Sequence, residues 1–289
     1  MGRTYSGIRS IAYFLFTIKR FSFTIVEDMK QPTLSKMQRQ YLMLFSVSIV
    51  VISGGMWGKG VYDAKKVLEA PVSRFELTET GVKEGDIPAL SKPKYDSVFV
   101  SDTVLSDSLS GIDVEIAGEH RFYPLQILNW HEVVNDTWGG KDVAVTWSPL
   151  CGTGIVYDRD VEGSVVTLAS SGKVYNDDTV LKDAETGSLW VQALGESVEG
   201  AMTGKKLTQI SSTMMTWSEW KDAYPSGLVL STNTGFIREY GRNPYAGYEK
   251  KPDVYFPVMS YDTSHEPKEV VTMNGVTGYW FCLSAIFSK

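Results

Sequence analysis

From Gly111 onward the apolar residues of this chain come in short β-branched and aromatic runs, each closed by turn residues, and that pattern sets the fold class. The runs are Ile112 to Ile116, Val143 to Trp147, Ile155 to Tyr157, Val165 to Leu168, Leu189 to Val191 and Leu228 to Ser231. Segments of this length and composition read as strands, and their close spacing predicts mostly antiparallel sheet.

Two segments read instead as short helices. Pro124 suits a first helical turn, and Leu125, Leu128, His131, Glu132 and Asn135 follow at three- and four-residue spacing until Gly139-Gly140 stops the pattern. Thr216 is placed to cap a second helix, Trp217 to Ala223, which must end before Pro225. The class is therefore α+β, predominantly antiparallel β-sheet with a few short helices. An internal echo joins the two ends of this region. Val114, Gly118 and Tyr123-Pro124-Leu125 resemble Val271, Gly275 and Phe281-Cys282-Leu283, with one extra residue between. The C-terminus is thus either an edge strand or the opening of an incomplete second copy of the strand-to-helix unit.

The charge-free run from Gln40 to Gly58 is apolar all round and long enough to cross a bilayer. Lys30, Lys36 and Arg39 precede it, so the positive-inside tendency puts the N-terminus in the cytoplasm. The expected order is a cytoplasmic segment over 1–39, a transmembrane anchor over 40–58, a charged stalk over 59–84, and a β-rich extracytoplasmic domain over 85–289. The rival to the anchor is a cleaved signal peptide with Ser53-Gly54-Gly55 after its apolar core, and Met29 and Met37 are alternative starts. With 43% hydrophobic and 12% aromatic residues in 289, the chain can bury a large core. A formal charge of -6 supplies no basic footprint and excludes nucleic acid as the partner. The partners left are the membrane, through residues 40–58, and a small-molecule or envelope ligand.

Chemistry concentrates between Asn129 and Asp158. On the expected helix His131 and Asn135 share a face, as do Glu132 and Asp136. After the next strand, Ser148-Pro149-Leu150-Cys151-Gly152-Thr153-Gly154 makes a sharply shaped loop carrying a thiol. A cysteine with an imidazole is the minimum apparatus for thiolate catalysis, which makes Cys151 and His131 the candidate catalytic pair. The same two residues, with Asp136, could instead ligate copper or zinc. Asn135, Asp136, Thr153, Tyr175, Asn176 and Trp190 are the candidate pocket residues, although Tyr175 to Asp178 also reads as a simple hairpin cap, and tryptophans in sheet proteins serve packing. Against the enzyme stands a ligand- or envelope-partner-binding module in which Cys151 and His131 are core residues. Two cysteines are too few for a disulfide framework, and a bridge from Cys151 to Cys282 is the weaker alternative to free thiols.

The chain resembles the prokaryotic domain of unknown function 3179 family. The resemblance is carried by Ile87-Pro88-Ala89-Leu90, Tyr123-Pro124-Leu125, Asn129-Trp130-His131-Glu132-Val133-Val134-Asn135-Asp136 and Pro149-Leu150-Cys151-Gly152-Thr153. It continues through Val174-Tyr175-Asn176, Gly187-Ser188-Leu189-Trp190, Trp217-Ser218-Glu219-Trp220 and Tyr255-Phe256-Pro257-Val258. Members of the family often carry Cys-Pro-Leu-Cys where this chain has Ser148-Pro149-Leu150-Cys151. The missing first cysteine rules out a two-thiol redox cycle within that motif and leaves Cys151 as a single thiolate or metal ligand. The resemblance also implies further chain beyond a second Tyr-Pro-Leu-like motif, and it assigns no activity.

Overall fold

The computed structural model describes residues 75–259 and 261–287, so the expected cytoplasmic segment, the expected span over 40–58 and most of the expected stalk lie outside the described residues. Among the described residues no helix is long and apolar enough to cross a membrane. The described residues form an α+β architecture dominated by sheet: three five-stranded sheets, two two-stranded ribbons and four short α-helices.

The first sheet runs Thr78–Glu79, Leu168–Tyr175, Asp178–Asp183, Leu189–Val191, Glu196–Glu199, all antiparallel. Its edge strand Thr78–Glu79 pairs with Val174 and Lys173, so residues just before 85 take part in the fold. The second sheet runs Thr208–Ile210, Thr153–Asp158, Lys141–Ser148, Val133–Trp138, Leu90–Ser91. Only its last pairing is parallel. The third runs Ser212–Thr216, Ser110–Ile116, Glu119–Pro124, Leu228–Leu230, Tyr95–Ser97.

The second sheet is the middle layer. Successive side chains of a strand point to opposite faces, and here both faces are buried. Val133, Ala144, Ile155 and Tyr157 join one core with Leu168, Leu181 and Trp190 of the first sheet. Val134, Val143, Val145 and Val156 join another with Ile112, Val114 and Tyr123 of the third. That explains why Val143 to Val145 is apolar at successive positions rather than alternating. A smaller core forms where the helix Trp217–Ala223 lays Trp217 and Trp220 against Phe122. Thr216 and Glu219 close a capping box at that helix's start, as the sequence predicts.

The expected helix from Pro124 to Asp136 is corrected. Its helical part is Leu125–His131, and Glu132 ends it with φ 56°, ψ -31°. Val133 and Val134 are β-branched and pair with Thr146 and Val145 in the middle sheet, an arrangement worth more to them than another helical turn. His131 and Asn135 therefore do not share a helical face. Gly139-Gly140 terminates no helix; with φ 58° and 77° it makes the two-residue turn between Trp138 and Lys141.

The internal echo has a structural counterpart. The hairpin Ser110–Ile116/Glu119–Pro124 turns on Ala117-Gly118 and leads into the helix Leu125–His131. The hairpin Val270–Met273/Val276–Tyr279 turns on Asn274-Gly275 and leads into the helix Trp280–Phe287. Both turns place two consecutive residues at positive φ.

Candidate functional site

Four consecutive residues at the end of the helix Leu125–His131 reach one segment, 240–245. Asn129 Nδ2 donates to Asn243 Oδ1 at 3.2 Å, and Trp130 Nε1 donates to the Arg242 carbonyl at 3.1 Å. His131 Nε2 meets the Tyr240 hydroxyl at 2.7 Å, and the Tyr245 hydroxyl approaches Glu132 Oε1 at 3.5 Å. The motif is thus a clamp on an irregular stretch, and that stretch forms part of the wall of a cleft of about 600 Å³.

His131 is buried and holds both ring nitrogens in hydrogen bonds. Nδ1 lies 2.7 Å from the Pro88 carbonyl, which can only accept, so Nδ1 carries the proton. In the neutral ring Nε2 then accepts, and Tyr240 donates to it. Burial lowers the His131 pKa, which keeps the ring in this neutral form.

Cys151 is not a free thiol. It is disulfide-bonded to Cys282 in the helix Trp280–Phe287, with Cα atoms 5.5 Å apart. The thiolate mechanism expected for Cys151 with His131 is corrected accordingly: the sulfur is bonded, and the imidazole is committed to Pro88 and Tyr240. The disulfide also argues against the expected copper or zinc site on the same residues. The sulfurs of Cys151 and Cys282 do lie with an Asp178 oxygen within 4.8 Å of one another. Joined to each other, however, they offer no thiolate, and Asp178 Oδ2 already accepts the Ala193 N–H at 2.7 Å. Asp136 is elsewhere, its carboxylate taken up by Arg121, Tyr95, Tyr123 and the Thr137 N–H.

The remaining candidates fall outside the cleft. Asn135 bridges to Leu168 through both its amide atoms, and with Asp136 it borders a separate surface groove beside Arg121 and Arg159. Thr153 is buried on Gln192, and Trp190 is a core residue whose Nε1 donates to Asp183. Tyr175 ends a strand, and Asn176 and Asp177, both at positive φ, make the hairpin turn after it, so the hairpin reading holds. That turn is itself structural: Asn176 Oδ1 accepts from Met259 N–H, and Asp177 accepts from Tyr248, Tyr255 and Phe256. Burial raises the Asp177 pKa to about 6.

Two cavities meet at Pro149 and Tyr245, which line both. The outer cleft, about 600 Å³, presents Trp147, Tyr240, Tyr248 and Tyr279 among the hydroxyls and amides of Ser108, Ser110, Gln126, Asn129 and Asn243. Glu249 is its one charged lining residue. The inner cavity, about 170 Å³, has apolar walls that include Val82, Ile87, Leu150, Val174 and Phe256. Glu132 sits on its wall. Burial raises the Glu132 carboxyl to about 7, and hydroxyls of Ser170, Thr179 and Tyr245 only partly offset this. Asp178 is raised to about 7 as well, first by burial and further by the charge of Glu132.

The family described as protein of unknown function (DUF3179) matches residues 84–279, most of the described region. The chain belongs to the DUF3179 family. No curated protein and no solved structure matches it. In this DUF3179 chain two of the motifs that resemble the family shape the cleft: Asn129 to Glu132 hold the 240–245 segment, and Pro149 lines both cavities.

Sequence reasoning did not find Tyr240, Asn243 and Tyr245, because the 232–248 stretch has neither helical nor strand periodicity. Its tyrosines, asparagines and glycines were the available signal, since that mixture builds binding loops. Glu132 was visible only as a presumed neighbour of Asp136.

Proposed function

We propose that this protein is a ligand-binding module of the extracytoplasmic space, held to the membrane by residues 40–58, and that its outer cleft takes a neutral, hydroxyl-rich ligand such as a saccharide. The observation that carries this reading is the character of the cleft: aromatic faces set among hydroxyls and amides, with Glu249 the only charge. Flat aromatic rings accept the apolar faces of sugar rings, and amides and hydroxyls exchange hydrogen bonds with their edges. An anionic ligand would find no cation there.

Cys151 and His131 then serve as core residues, one as a staple and the other as an anchor for Tyr240. The disulfide supports a location away from the cytoplasm, because such bonds persist in oxidising compartments. A glycan array probed with the purified chain tests the ligand class, with Tyr279→Ala and Gln126→Ala as cleft variants. Retained binding in both variants, or binding confined to anionic glycans, would refute the reading. Added protease should remove the region after residue 58 from intact spheroplasts; full protection would refute the topology.

A further inference from the structure

We propose that the inner cavity is a second, separate binding site, for a small organic ammonium group held by Glu132 against aromatic walls. Glu132 is 5% exposed, and among the described residues no cation pairs with it. Its hydrogen-bond partners are the neutral hydroxyls of Ser170, of Thr179 (Oγ1 3.4 Å from Oε2) and of Tyr245 (3.5 Å from Oε1). A buried carboxyl held by neutral hydroxyls, with no counter-ion, is costly to ionise. A cation entering the cavity would relieve that cost.

The surroundings specify what kind of cation. Tyr245, Tyr255 and Phe256 line the cavity, and aromatic rings of this kind attract ammonium groups. Val82, Ile87 and Leu150 supply apolar surface for a carbon body, whereas a metal ion would call for a shell of oxygens. The volume, about 170 Å³, is close to the roughly 150 Å³ that accommodates benzene in an engineered protein cavity.

The other titratable groups nearby fit an incoming positive charge. Asp178 couples to Glu132 with the same sign. Lys173 borders the cavity, but its ammonium is paired outward with Glu79. His131, the preceding residue, is held neutral by Pro88 and Tyr240, and burial raises the Tyr245 phenol further above neutral pH. The backbone points the same way. Glu132 holds φ 56°, ψ -31°, a conformation that strains a non-glycine residue. Glycine would end the helix there without that strain, so the carboxyl side chain has a use of its own.

Binding of an alkylammonium to the protonated acid releases the carboxyl proton to solvent and leaves an ammonium–carboxylate pair. The test is calorimetric titration of the full chain with n-butylammonium and, as the neutral analogue, 1-butanol. The ammonium should bind about 30-fold more tightly at pH 8.5 than at pH 5.5, following the ionised fraction of the acid. Butanol should bind weakly and without pH dependence. Glu132→Gln should abolish ammonium binding, whereas Gln126→Ala, a change in the outer cleft alone, should leave ammonium binding intact, which separates this site from the proposed one.

If that variant does not fold, the wild-type chain still decides. Titration at pH 6.5 in two buffers of different ionisation enthalpy should report release of most of one proton per ammonium bound. Equal binding of butanol, unchanged binding by Glu132→Gln, absence of ammonium binding, or absence of proton release would each overturn the proposal.

Discussion

His131 Nε2 accepts a hydrogen bond from the Tyr240 hydroxyl at 2.7 Å, and the same hydroxyl lies 2.6 Å from Thr234 Oγ1. A relay of three side chains therefore fastens an irregular loop to the end of a helix. Tyr240→Phe removes the donor and leaves a buried ring nitrogen unsatisfied, which should cost about 1–3 kcal/mol in urea unfolding. His131→Ala should cost more, because it also opens a void and frees the Pro88 carbonyl. Both variants should weaken ligand binding in the outer cleft through loop mobility. A His131→Ala protein of unchanged stability would refute the anchoring role.

The disulfide closes a loop of 131 residues between Cys151 and Cys282. In the chain-entropy account a loop of that length stabilises by roughly 4–5 kcal/mol. Thiol titration of the unfolded, unreduced chain should find no free cysteine, and Cys282→Ala should lower the unfolding midpoint markedly. Two reactive thiols in the non-reduced protein would sink the assignment.

Glu132 and Asp178 make stability depend on pH in an unusual direction. Both carboxyls are raised to about 7 in the folded chain, above their unfolded values near 4. Between those limits the folded state binds more protons, so stability is fully present at pH 4 and falls as pH rises through 7. Melting scans should show a loss of a few kcal/mol, roughly, from pH 4.5 to pH 8, superimposed on whatever other carboxylates contribute. Glu132→Gln should flatten that slope and be the more stable protein at pH 8. A variant that melts in parallel with wild type across this range would contradict the raised carboxyl.

Asp136 collects the Arg121 guanidinium at 2.7 Å, the Tyr123 hydroxyl at 3.1 Å and the Tyr95 hydroxyl, away from both central cavities. Asp136→Asn leaves Arg121 without its buried counter-ion and should destabilise by roughly 3 kcal/mol. Ligand affinity of the molecules that remain folded should not change. A selective loss of affinity at full stability would move Asp136 back into the site.

The strands were legible because their signal is local. Leu189–Val191 and the capped helix Trp217–Ala223 were predicted to the residue. The segment after His131 was not, because Leu125, Leu128, His131 and Asn135 keep helical spacing even though Val133–Trp138 is a strand. Its pairing partner Lys141–Ser148 decides the outcome, and pairing is a tertiary property that helical periodicity does not reveal. The site was half-legible for a similar reason. The helix end that clamps the cleft stood out as a motif, while the tyrosines it clamps sit more than a hundred positions away in a stretch without pattern. The cysteine pair was the least legible, since two thiols separated by 131 residues give no spacing signature of a bond.

The middle sheet divides its side chains between two cores, Val133, Ala144 and Ile155 to one side, Val134, Val145 and Val156 to the other. Parity along these strands is therefore the fold's reading frame. A single-residue insertion inside Lys141–Ser148 would send every following side chain of that strand to the wrong core, although composition hardly changes. An extra pair of residues at Gly139-Gly140 would leave both frames intact. Length variation among proteins that keep this architecture should accordingly gather at its turns and be purged from its strands.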